Sequence, residues 1–234
     1  MPNNTPTIHH NLLAEAEAVL ESPAVESRLP VIITILCVGA LTFALPDSLT
    51  HYPKWIPISV LGVLMLLARA AYRRGQLYWN TFWGNAAGVV TTLFLLWSVG
   101  LLVATLSRHQ ETPAQLLLSA GILWITNVVV FALWYWRMDA GGPNEREQRG
   151  RHDCGAFLFP QMTLDDDTAT ASQYANWTPH FADYVFLAFN TSTALSPTDT
   201  AVLSRWAKLT MMAQSAISLV IIALVCARAI NTLQ

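Results

Sequence analysis

Apolar positions fall in long blocks along the chain. Leu29–Leu45, Thr81–Leu106 and Gln115–Trp136 contain no charged residue. Ile56–Ala71 is interrupted only by Arg69, and Leu209–Ile230 only by Arg228. A spanning helix needs about 20 mostly apolar residues. The third, fourth and last blocks meet that unaided, and the first two reach it with their flanks. Trp55 opens the second block, and Trp134 and Trp136 close the fourth. Aromatic rings favour these interfacial positions. The pattern predicts five transmembrane helices.

A sixth segment, Phe181–Leu195, is apolar in its first half and polar from Asn190 to Thr193. As a helix it covers about 22 Å, less than a hydrocarbon core of ~30 Å. It is read as a short tilted span or as a re-entrant half-helix enclosed by protein or water. The expected fold is all-α and polytopic, with five transmembrane helices plus this short re-entrant or sixth spanning segment. Residues 1–28 form a polar N-terminal tail. Within it Asn11–Glu21 predicts an amphipathic helix, capped by Asn11, with Leu12, Ala16, Val19 and Leu20 on one face. Four helices occupy 29–137. Residues 138–180 form a polar connector with Gly141-Gly142-Pro143, Arg146, Arg149, Arg151 and Asp165–Asp167. A loop-rich stretch is expected there, with a short helix near Asn144–Arg149. Residues 181–234 hold the short segment and the last helix.

Composition sharpens this picture. The 234 residues are 53% hydrophobic and 12% charged, against about 25% charged in soluble domains. A soluble globular enzyme and a disordered chain are both excluded. A formal charge of -2 supplies no basic field for nucleic acid. Cys37, Cys154 and Cys226 make no disulfide framework. No nucleophile elbow, metalloprotease pair, phosphate loop or dinucleotide fingerprint is present, so neither enzyme activity nor a cofactor is expected. His152 and Cys154 lack a second ligand pair and read as solvated loop residues. Asp165–Asp167 lacks the glycine and closing glutamate of a calcium loop. Asn85 and Asn127 are isolated amides inside spans, suited to bonds between helices. Gly84, Ala86, Ala87 and Gly88 allow close helix approach, within the chain or in an oligomer.

Arg and Lys positions set orientation. With the N-terminus inside and six spans, nine basic residues lie inside: Arg28, Arg69, Arg73, Arg74, Arg137, Arg146, Arg149, Arg151 and Arg228. Four lie outside: Lys54, Arg108, Arg205 and Lys208. A re-entrant segment moves Arg205 and Lys208 inside and Arg228 outside, giving ten against three. Either count puts the tail and the connector in the cytoplasm.

The densest polar cluster at membrane depth is Asn190–Thr200. Hydroxyls and freed carbonyls are the ligands hard cations prefer. Pro197 would break a helix and free the carbonyls before it. An ion path would be lined by Thr191, Thr193, Ser196, Thr198 and Asp199, with Asp183 stabilising the half-helix from its N-terminal side. The plainer reading is a helix-breaking turn. Asp199 or Ser204 would then cap the last helix, with Arg205 and Lys208 at the headgroups.

The order of elements over 115–230 resembles the outer helix, pore helix, filter and inner helix of the tetrameric potassium-channel superfamily. The window Thr191-Ser192-Thr193-Ala194-Leu195-Ser196-Pro197-Thr198-Asp199 is similar to that family's T-x-T-T-V-G-Y-G-D at Thr191, Thr193 and Asp199. Ser196 and Thr198 stand where it has glycines, and Pro197 where it has an aromatic. The resemblance therefore implies a non-standard pore loop. Most of the chain also resembles an uncharacterised family of small bacterial integral membrane proteins, a domain of unknown function. The matching positions are Asp183-Tyr184, Phe189-Asn190, Leu195, Thr198-Asp199 and Arg205. Together these imply a multi-pass protein of the bacterial inner membrane, surrounded by the lipid bilayer and channel-like. A monovalent cation would be its permeant partner, in a homo-oligomer that is a tetramer if it forms a pore. The alternative is a non-conducting scaffold or accessory subunit.

Overall fold

The helices begin and end where local chemistry stops the backbone ladder. Thr112, Pro113 and Gln115 start one of them. The Thr112 hydroxyl accepts from the Gln115 N–H, the Gln115 side chain accepts from the Thr112 N–H, and Pro113 takes the first turn. The computed structural model describes residues 29–50, 52–106, 112–149, 152, 155–164, 168, 177–193 and 199–232. The expected helix at 11–21, the acidic run at 165–167 and part of the polar cluster, 194–198, lie outside the described residues.

The elements are α1 (Leu29–Ala44), α2 (Trp55–Arg73), α3 (Leu77–Leu106), α4 (Pro113–Met138), α5 (Pro143–Arg149), β1 (Phe157–Leu158), α6 (Phe181–Thr193), β2 (Ala201–Val202) and α7 (Arg205–Thr232). By length and composition α2, α3, α4 and α7 can cross a membrane, and α1 is a shorter apolar helix. This is the helical architecture of a multi-pass integral membrane protein. Large apolar side chains such as Leu66, Leu93, Met212 and Leu219 are exposed on α2, α3 and α7. In a bilayer those faces meet lipid. Among the four, α4 is the most buried. It packs against α1, α3, α6 and α7.

Hydrogen bonds between helices give their directions. Arg137 near the end of α4 reaches Asn85 and the Thr81 carbonyl near the start of α3. Trp134 donates to Thr92 at 2.9 Å. So α3 and α4 are antiparallel. Between α2 and α3 the turn is tight, and Asn80 reaches back to the Ala68 carbonyl. The far end of α1 is held by Lys54, whose ammonium donates to the Leu45 carbonyl at 2.7 Å and pairs with Asp47 at 3.0 Å. The ends of α2 and α4 therefore lie with the start of α3 at one end of the bundle. Exposed Tyr78, Trp79 and Phe82 on α3 lie at that end, and exposed Trp55 and Trp97 lie toward the other. Trp79 and Trp97 are about 27 Å apart along α3 at 1.5 Å per residue, close to the hydrocarbon thickness.

The direction of α6 relative to α7 follows from the bonds between them. Ala188 of α6 meets Gln214 of α7, and Ser192 meets Ser218. Both numbers rise together, so α6 and α7 run parallel. Against α4 the order reverses: Tyr184 meets Asp139, and Phe189 meets Trp124 edge to face. Both α6 and α7 therefore start at the Asp139 end. The chain is back there by β2, which pairs antiparallel with β1 (Phe157 opposite Val202, Leu158 opposite Ala201). α6 is 13 residues long, and β2 lies at the end of the bundle where α6 began.

The described residues of the connector hold short regular elements between loops. Its short helix is found at Pro143–Arg149. Beyond it Phe157 and Phe159 are buried against Tyr135, Tyr184 and Trp177. These two phenylalanines sit in a polar stretch too short of apolar residues to show a periodic face.

Candidate functional site

Two buried polar centres lie along α4, one at its end and one in its middle. The first forms where α4 stops. Ala140 adopts φ 49°, Gly141 φ 81° and Gly142 φ 90°. A Cβ on Gly142 would lie 2.5 Å from the Arg137 carbonyl oxygen. Only glycine fits both the torsion and the space. This left-handed turn drops Asp139 into the interior, where it is fully buried. Its Oδ2 accepts from the Tyr184 hydroxyl at 2.7 Å and faces His152 Nε2 at 2.8 Å. Its Oδ1 accepts the backbone N–H groups of Ala156 and Phe157. Arg146, over the Trp136 ring, donates to the Asp139 and Trp136 carbonyls at 2.6 and 2.9 Å. A buried carboxylate survives in such a place because donors surround it.

His152 therefore corrects the sequence reading. Its side chain is 4% exposed and lies on Asp139, so it is not a solvated loop residue. Nothing in the hydropathy pattern singled out Asp139. Its one signal is its place, a lone acid directly after the aromatic and basic end of an uncharged run.

The second centre lies about 18 Å deeper along α4, at the level of Asn127. Asn127 Nδ2 donates to Ser218 Oγ at 2.7 Å and to the Gln214 carbonyl at 3.3 Å. Ser218 Oγ lies 2.6 Å from Ser192 Oγ. Gln214 donates to the Ala188 carbonyl at 2.7 Å and accepts the Tyr135 hydroxyl. Ser215 donates to the Thr191 carbonyl at 3.1 Å. Asn127, Gln214, Ser192 and Ser218 are all buried. Asn127 Oδ1 is buried with no hydrogen-bond partner among the described residues. The expectation that Asn85 and Asn127 bond neighbouring helices holds for both. Gln214 and Ser218, polar at i and i+4 in an apolar block, are the sequence signal of this centre. The small residues of α3 serve packing within the chain, with Gly84 under the Arg137 guanidinium and Gly88 under the Trp134 ring.

The residues predicted to line a path are spread across these surroundings. Thr191 is buried, and its hydroxyl donates to the Leu187 carbonyl at 2.8 Å. Thr193 is half-buried and donates to the Asn190 carbonyl at 3.0 Å. Asp183, in the first turn of α6, reaches back to accept the His180 N–H at 2.7 Å, the reach-back half of a capping box. Asp199 is exposed. The cap of α7 is Ser204, which accepts the Ala207 N–H at 3.2 Å. Ser196 and Thr198 lie outside the described residues. Among those residues no cluster of three His, Cys, Asp or Glu side chains could hold a metal. Comparison with models of protein families, with curated proteins and with solved structures finds no match to this chain.

Proposed function

We propose that the chain is a channel-like protein of the bacterial inner membrane in which α6 is a re-entrant half-helix. The observation that carries this reading is the parallel course of α6 and α7, with β2 back at the end where α6 began. A half-helix buried in a membrane points the negative end of its dipole inward. Such ends, with unwound carbonyls, favour cations. Thr191 and Thr193 stand in that last turn, and Ser196, Thr198 and Asp199 follow in the sequence. A monovalent cation is the permeant species, and several copies around an axis enclose the path, four by analogy with pore-loop channels. The same-end geometry supports the ten-to-three distribution of basic residues, and that charge bias favours a cytoplasmic Asp139 end. A non-conducting scaffold is the second reading. It is favoured by the Thr191 and Ser192 hydroxyls, which are engaged inside one subunit.

Single cysteines at His180 and Asp199, both exposed, test the topology. Labelling from the same side of sealed vesicles is expected, and opposite sides would make α6 a sixth span. Native mass spectrometry from mild detergent then tests assembly, and a strict monomer would remove the pore. Cation flux into liposomes is expected to fall in Thr193→Ala and Asp199→Ala. Flux absent from the unaltered protein would favour the scaffold.

A further inference from the structure

Three stretches far apart in sequence close on one carboxylate. Asp139 ends α4, His152 and the Ala156 and Phe157 N–H groups belong to the connector, and Tyr184 sits in the second turn of α6. A few residues on, the connector also holds the return limb. Its β1 pairs with β2, and the Ala156 carbonyl accepts the Leu203 N–H at 2.8 Å. We infer that the connector is a clasp, keyed by Asp139, that grips both limbs of the α6 unit, so that displacing the connector loosens α6 at its entry and its return together.

The chemistry makes the grip all-or-none. The two carboxylate oxygens are shared, with Oδ2 serving both the connector and α6 and Oδ1 serving the connector backbone. Pulling the connector away strips Asp139 of its imidazole and two N–H donors. The carboxylate must then take up water, which enters beside Tyr184. Phe157 transmits the same movement through packing, because its ring contacts both Tyr135 and Tyr184. A partner that captured the connector would thereby act on α6 without touching it. The inference rests on packing and is independent of whether α6 lines a path.

Hydrogen–deuterium exchange of the full chain in lipid nanodiscs tests it, read over 155–164, 184–190 and 199–204. Tyr184→Phe alters only α6, and His152→Ala only the connector. Each is expected to speed exchange at least tenfold in all three segments. Asp139→Asn is expected to do so more strongly, and should it fail to fold, the other two variants still answer the question. Faster exchange confined to the substituted element, or no change in either variant, would overturn the clasp.

Discussion

The Tyr184 hydroxyl donates to Asp139 Oδ2 across 2.7 Å, joining positions 45 residues apart. It fixes the start of the short helix α6 to the end of the central helix α4. Deleting the two sides of this bond has unequal consequences. Tyr184→Phe removes one donor and leaves the carboxylate three others, so a loss of about 1–2 kcal/mol is expected. Asp139→Ala removes the shared acceptor of Tyr184, His152 and two buried N–H groups at once, and at least ~3 kcal/mol is expected. Thermal unfolding in detergent, calibrated against the unaltered protein, measures both.

Within the bundle, Gln214 and Asn127 separate a satisfied amide from one that is not. Gln214→Leu removes one partner each from the Tyr135 hydroxyl and the Ala188 carbonyl. A cost of about 1–2 kcal/mol is expected, at the upper end for bonds between membrane helices. Asn127→Leu also removes a buried oxygen that has no partner among the described residues, which offsets part of the loss. The variant is expected within about 1 kcal/mol of the unaltered protein. Chemical denaturation in mixed micelles gives the order, and a larger loss for Asn127→Leu would show that its Oδ1 is engaged.

The turn after α4 depends on Gly142. With φ 90° and a neighbouring carbonyl 2.5 Å from the missing Cβ, Gly142→Ala is expected to destabilise by about 2–3 kcal/mol. Gly62 sits in α2 with nothing within 4 Å of its missing Cβ. Gly62→Ala is expected to change stability by no more than ~0.5 kcal/mol, or to raise it, because alanine favours helix. Melting temperatures of the pair make the comparison.

Ser204 and Asp199 divide the roles that sequence left open between them. Ser204→Ala removes the cap of α7, and a loss of about 1 kcal/mol is expected. Asp199 is exposed, so Asp199→Ala is expected to leave unfolding unchanged. Reduced flux in that variant would then report on the path and not on the fold.

Much of this was legible in the chain. The blocks at 29–45, 56–71, 81–106, 115–136 and 209–230 became helices within a few residues of the predicted limits. The short connector helix and the interhelical role of Asn127 were also legible. The site was less so. Asp139 and His152 are unremarkable in sequence, and Gln214 and Ser218 look like minor interruptions of an apolar run. The hydroxyl cluster drew attention because polar residues are dense there, yet Thr191 and Thr193 spend their hydroxyls on their own helix.

By itself the sequence determined that this is a bundle of apolar helices, because the transfer of apolar side chains from water adds up residue by residue along a chain. It also determined where several helices begin, since caps are contacts between near neighbours. Only the tertiary structure decided that α6 and α7 run parallel, that Asp139 is the anchor of the connector, and that Ser204 caps α7. Those outcomes depend on which distant donor meets which acceptor. A hydrogen bond is selective over tenths of an ångström, and spacing along the chain carries no such distance between residues 45 or more positions apart.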